Sequence, residues 1–167
     1  MRTKQEYING LSRMKRNIYH NGELIDRTDE LQMDCLNTIG TTYDEAAKPE
    51  NQDLCTAISH LTGERINRFN HIHQNKEDLH KKQDMTRMLC RKVGGCIQRC
   101  MGIDAANAIY NVSYEADKVN SGSTQYHENF KKWLIRFQRE DLIGCCAQTD
   151  VKGDRMLRPA DQPNPGA

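Results

Sequence analysis

No run of this chain is apolar for long enough to cross a bilayer. Residues 1–25 open with Met-Arg-Thr-Lys, then alternate polar with apolar, and lack the continuous apolar core of a secretory leader. A surplus of charge of one sign is also missing. The 24 Lys and Arg against 23 Asp and Glu leave a formal +1, too little field to gather nucleic acid or an anionic membrane surface. Apolar residues are scarce, at 37% of 167. Counted with glycine and without tyrosine the share is about 40%, below the ~45–50% of an ordinary globular chain. Together with a mean hydropathy of −0.85, this predicts either amphipathic helices with wide wet faces or one domain whose stability leans on partners, and the second is preferred. An even cysteine count is absent too. Seven Cys without a leader predict reduced thiols in a cytosol, and so a cytoplasmic protein, rather than a disulfide framework.

What is present reads as helices. Thr3-Lys-Gln-Glu6 is a capping box, followed by a short helix carrying Tyr7, Ile8, Leu11 and Met14. Asn21-Gly22 between two short apolar runs predicts a hairpin over residues 17–25, through a turn with two positive φ angles. Leu31, Cys35, Ile39, Tyr43 and Ala46 predict a helix that Pro49 stops. Residues 61–74 show no period and read as an extended or irregular connection. Asn75 can cap a helix from about Glu77 toward Cys100, with Leu89, Val93, Cys96 and Cys100 as one stripe that Gly94-Gly95 weakens or kinks. Ala105, Ala108, Ile109, Val112, Ala116 and Val119 form another stripe. Tyr126, Phe130, Trp133, Leu134 and Phe137 form the strongest one, and these two helices should pair across Asn120-Ser-Gly-Ser123. Leu142 to Ala147 suits a short strand, and the composition after Arg158 is that of a loop.

Cys96-Ile-Gln-Arg-Cys100 carries the most specific chemistry. On a helix its thiols would project from adjacent turns and could hold two corners of an iron–sulfur or zinc centre. Four ligands are normally needed, and no second Cys/Cys or Cys/His pair of finger-like spacing follows. Core packing is the competing reading, since cysteine is among the most buried residue types. A disulfide is disfavoured because the two Cβ vectors run nearly parallel. Thr149-Asp-Val-Lys-Gly-Asp-Arg155 could bring backbone amides and a guanidinium to a phosphate or a polar ring edge, or could be a solvated turn. His71-Ile-His73 would place its rings on opposite sides of an extended chain, which favours ordinary surface histidines over a metal site. Cys145-Cys146 reads as half-buried and inert.

Several stretches together resemble one family, the flavoproteins containing 4-hydroxybutyryl-CoA dehydratase and the 4-hydroxyphenylacetate 3-monooxygenase oxygenases. They are Ile66-Asn-Arg-Phe69 with His73-Gln74, Asp78-Leu-His-Lys-Lys82, Cys96-Ile-Gln-Arg-Cys-Met-Gly102, Asp104-Ala105 with Asn107-Ala108, Tyr114-Glu115, Tyr126-His127 and Thr149 to Arg155. The cysteine pair resembles the dehydratase branch. The resemblance covers nearly the whole chain, more weakly before residue 50.

That resemblance implies a mainly α, acyl-CoA-dehydrogenase-like N-terminal helical domain over residues 1–158. Residues 159–167 would then lead toward a middle β domain and a C-terminal helical bundle that are absent here, in a homotetramer. It implies an FAD- and [4Fe–4S]-dependent dehydration of an acyl-CoA substrate. Cys96 and Cys100 would be two cluster ligands, and Gln98 would lie near the substrate. Gln148, Thr149, Asp150, Lys152, Gly153, Asp154 and Arg155 would line FAD, with Val151 standing where relatives carry Pro. As a piece of such a dehydratase and vinylacetyl-CoA isomerase the chain is expected to be inactive alone. The alternatives are a component of a flavin-dependent aromatic hydroxylase, in which the thiols only pack, and a non-catalytic helical docking domain.

Overall fold

The computed structural model of the chain describes residues 1–99, 104–144, 153, 154 and 156–162. It is mostly helical: α1 (Lys4–Ser12), α2 (Met33–Ala47), a single turn α3 (Gln52–Cys55), α4 (Lys76–Val93), α5 (Ala106–Val119) and α6 (Tyr126–Arg139). Two antiparallel hairpins interrupt them, β1 (Ile18–His20) with β2 (Glu23–Ile25) and β3 (Thr56–Ile58) with β4 (Arg65–Asn67).

The elements whose ends are written in local chemistry fall where expected. The Thr3 hydroxyl accepts from the Glu6 amide at 3.1 Å and the Glu6 carboxylate accepts from the Thr3 amide at 2.8 Å, closing the capping box of α1. Asn21 at φ 50° and Gly22 at φ 86° make the tight turn of the first hairpin. The Asn75 side chain accepts from the Asp78 amide at 2.9 Å and starts α4. α2 ends at Ala47, two residues before Pro49.

Four expectations need correction or completion. Residues 61–74 contain β4, which pairs Thr56 with Asn67 and Ile58 with Arg65 around a loop that Gly63 turns at φ 70°. α4 stops at Val93 instead of running toward Cys100: Gly94 takes a left-handed φ of 74°, and the amides of Gly94 and Gly95 both return to the Cys90 carbonyl. The two glycines end the helix rather than kink it, because only they enter that backbone region without strain. The α5 stripe has the right period but faces water, with Val112 67% and Val119 80% exposed, while Ala106 and Ser113 point inward. Leu142–Gly144 are irregular, and residues 145–147 of the expected strand, with Cys145 and Cys146, lie outside the described residues.

The buried apolar side chains form two clusters. Ala46, Cys55, Phe69, Met85, Leu89 and Ile97 join α2, α3, α4 and the segment after α4. Ile72, Ala106, Leu134 and Phe137 join α5 and α6 to the chain after β4. α5 and α6 pair as expected: the Tyr110 and His127 rings meet edge to face at 4.7 Å, and Asp117 accepts from the Tyr126 and His127 amides. No helix among the described residues is long and apolar enough to cross a membrane.

Candidate functional site

After Gly95 the chain has neither helix nor strand, and its side chains alternate. Cys96 and Gln98 are exposed, whereas Ile97 and Arg99 are 1% and 2% exposed. The alternation has a period of two, which a helix would not give, although the backbone turns at Gln98 and is not a strand. The thiol therefore does not lie on a helical turn, which corrects the expected geometry of the pair. Cys100 lies outside the described residues, so the structure presents one of the two thiols.

The Cys96 sulfur is not sealed in the core. It accepts from the Gln98 backbone amide at 3.4 Å, closing a tight loop in which Gln98 takes a φ of 55°. The Gln98 side-chain amide donates to the sulfur of Cys35 at 3.4 Å, on α2. Cys35 was legible only as one member of a core stripe, and its link to Gln98 spans 63 positions. By contrast Cys55 is buried, and burial pushes its thiol up to about 11. Among the described residues no three His, Cys, Asp or Glu side chains converge well enough to hold a metal ion. A soft donor at the surface with an amide aimed at its sulfur has the chemistry of an iron–sulfur ligand, and the described segment can supply one corner of such a centre.

Arg99 anchors the loop from below. Its guanidinium carbon sits 5.0 Å from both the Tyr43 and the Phe69 ring centroids. Its nitrogens donate to Asp141 Oδ1 at 3.0 Å, Thr42 Oγ1 at 3.1 Å, Asn70 Oδ1 at 3.3 Å and the Leu142 carbonyl at 3.3 Å. Asp141, wholly buried just past α6, also accepts from the Asn70 side chain, and its carbonyl accepts from the Tyr43 hydroxyl at 2.9 Å. Burial pushes that phenol up to about 12. Neither Arg99 nor Asp141 stood out in the sequence.

A second polar cluster lies beside the start of α4. His71 and Arg68, both buried, face Asp78 at 3.1 and 3.4 Å. Burial alone would raise the Asp78 pKa, but the Gln74 amide and the His71 ring outweigh it and hold the carboxylate below its usual value. A carboxylate only accepts, so His71 carries its proton on Nε2. Lys82, buried on α4, donates to the His71 carbonyl at 3.0 Å, and burial brings its pKa down to about 7. Burial takes His73 down to about 4 and lowers His71 as well. His71 is thus buried in the domain and His73 half-buried, where the alternation favoured surface rings.

Of the expected flavin segment, Gly153 and Asp154 are described and exposed. Gly153 has a φ of 30°, and the Asp154 amide donates to Gln162 at 2.9 Å while Gln162 returns a hydrogen bond to the Asp154 carbonyl. Gln148, Thr149, Asp150, Lys152 and Arg155 lie outside the described residues.

The described residues thus define a mainly helical domain with an exposed thiol on a glycine-terminated loop that a buried arginine underlies. Residues 3–167 match the model of the 4-hydroxyphenylacetate 3-hydroxylase N-terminal family, and the chain belongs to that family. It is 41% identical over 165 residues to the 4-hydroxybutyryl-CoA dehydratase/vinylacetyl-CoA-Δ-isomerase of Clostridium aminobutyricum, covering 98% of this chain and 33% of that one. The solved oxygen-tolerant archaeal 4-hydroxybutyryl-CoA dehydratase of N. maritimus superposes with a TM-score of 0.86 at 34% identity, over 98% of this chain and 32% of that one. The oxygenase component of 4-hydroxyphenylacetate 3-monooxygenase, solved with FAD, superposes at 0.69 and 22% identity over 99% of this chain and 34% of the other, a likeness of fold. The chain thus spans about a third of the length of these relatives.

Proposed function

We propose that this chain is the N-terminal part of a 4-hydroxybutyryl-CoA dehydratase with vinylacetyl-CoA isomerase activity, working with FAD and a [4Fe–4S] cluster as a cytoplasmic homotetramer. The observation that carries the reading is the Cys96 thiol held at the surface by inward Ile97 and Arg99, in a chain far nearer in sequence to the dehydratases than to the oxygenases. Cys96 and Cys100 supply two cluster ligands, and the others come from polypeptide beyond this chain. When bound, the flavin supplies one-electron redox chemistry and the cluster a Lewis acid for the hydroxyl that leaves as water.

This chain's own share is placement. Gln98, beside the thiol and tied to Cys35, orients the acyl chain of the substrate next to the cluster. The exposed turn at Gly153-Asp154, tied to Gln162 through the Asp154 amide and carbonyl, belongs to the stretch 148–155 that we assign to the flavin. Beyond residue 158 the chain leads into a middle β domain. The exposed apolar side of α5, centred on Ile109, Val112 and Val119, is where the remaining two thirds of the relatives' length docks.

The test is anaerobic reconstitution with iron, sulfide and FAD. This chain alone is expected to form no stable four-iron chromophore and no crotonyl-CoA, while a chain extended to the relatives' length forms both. Crotonyl-CoA from the short chain would refute the incomplete site. Full activity of the long form after replacing Cys96 and Cys100 by Ser would shift the reading to a flavin-dependent hydroxylase.

A further inference from the structure

A segment with no helical or sheet hydrogen bonds depends for its place on the side chains it buries, and between Cys96 and Arg99 there are two, Ile97 and Arg99. Ile97 is held by non-directional contact in the α2–α4 core. Arg99 is held directionally, through its face and its terminal nitrogens. Its plane lies between Tyr43 and Phe69, and its edge is spent on Asp141, Thr42, Asn70 and the Leu142 carbonyl. Those partners belong to α2, the turn after β4 and the end of α6, so the guanidinium triangulates one backbone position against three elements.

We propose that Arg99 is the positioning residue of the Cys96–Arg99 segment: its buried guanidinium, set over two aromatic rings and hydrogen-bonded to three elements, fixes the backbone from which Cys96 and Gln98 project, and with it the Cys96 sulfur offered to the cluster. For the identity of the cluster this rests on the reading above; for the locking of the loop it does not. Stability alone does not call for such a residue, since buried ion pairs are often replaceable by apolar groups at little loss. Direction does call for it. A rigid planar fork sets angles that a methylene chain or an ammonium cannot set.

The experiment compares wild type, Arg99→Met and Arg99→Lys in this chain by hydrogen exchange and by the alkylation rate of Cys96 localised by mass spectrometry. Exchange at residues 96–99 and alkylation of Cys96 are expected to rise about tenfold or more in both variants, with α2 and α6 protection kept. Should Arg99→Met fail to fold, Arg99→Lys carries the same test. Unchanged exchange and unchanged alkylation in a folded variant overturn the proposal. In a chain of the relatives' length, the Lys variant is expected to bind iron with a broadened or shifted electron paramagnetic resonance signal, and an unaltered signal would overturn the link from loop to cluster. Cys96→Ser with Arg99 intact separates the two readings. Retention of full iron by that variant sinks the cluster assignment and leaves the exchange result standing.

Discussion

A histidine ring drawn out of water tends to give up its charge, and this domain does so by degrees: His71 is buried, His73 half-buried and His60 still exposed. His60, His71 and His73 all have lowered pKa values, with burial the largest cause in each. For His71 the Asp78 carboxylate opposes that shift without reversing it. His73 falls to about 4, and its Nε2 has no hydrogen-bond partner among the described residues. The sign follows from proton counting. Between the ordinary value of 6.5 and the lowered ones the unfolded chain binds more protons than the folded one, so stability is lost as pH falls through that window. Urea midpoints are expected to drop from pH 7 to pH 4.5, and His73→Gln is expected to flatten part of that slope. A midpoint constant over this range would contradict the burial of these rings. Lys82 acts at the other end. Its pKa of about 7 against 10.5 in the unfolded chain means that stability rises with pH between those values, so Lys82→Met should remove a rise measured from pH 7 to pH 10. None of this was legible beforehand, because alternation placed His71 and His73 on opposite sides of a chain without saying that both sides are covered.

Among the elements, α4 decides where the thiol goes, and Gly94 decides where α4 ends. At φ 74° an L side chain is strained, and a Cβ added there meets nothing within 4 Å, so the loss on Gly94→Ala is purely one of backbone. It is expected to be about 1–2 kcal/mol by urea denaturation, with Gly94→Asn milder. A loss of nothing would mean the helix simply grows through 94 and carries Cys96 onto the turn that the sequence pattern suggested. The capping box at Thr3, the Asn21-Gly22 turn and the Asn75 cap could be read in advance because each is closed by residues within a few positions of one another. The end of α4 sets two signals against each other. Apolar spacing through Leu89, Val93, Cys96 and Cys100 favours a longer helix, and two adjacent glycines favour a stop; the backbone follows the glycines. The Arg99–Asp141 pair joins residues 42 positions apart, and no local rule brings a charge on an irregular loop to a carboxylate beyond the last helix.

For the molecule as a whole, the α5 stripe shows what periodicity can and cannot tell. Spacing says which side chains share a face; it does not say whether that face is covered, and in this chain α6 takes the opposite side, through Ser113 and His127. Ile109, Val112 and Val119 are left in water on a helix that buries only Ala106 and Ser113. A continuous apolar strip of that kind is unusual on a self-sufficient monomer and ordinary on a surface that another part of the same polypeptide covers. This chain has about a third of its relatives' length, and under the function proposed above the rest of such a length is the source of the cover. The chain by itself should therefore associate as its concentration rises in sedimentation, and should bind a hydrophobic dye. Val112→Glu combined with Val119→Glu should abolish both without moving the urea midpoint, since neither side chain contributes to the core. In a chain of the relatives' full length the same pair should instead be destabilising, because the charges would be forced into a closed interface. A short chain that stays monomeric and dye-free, or a long chain indifferent to the two glutamates, would show the strip to be merely wet and would move the docking surface to another side of the domain.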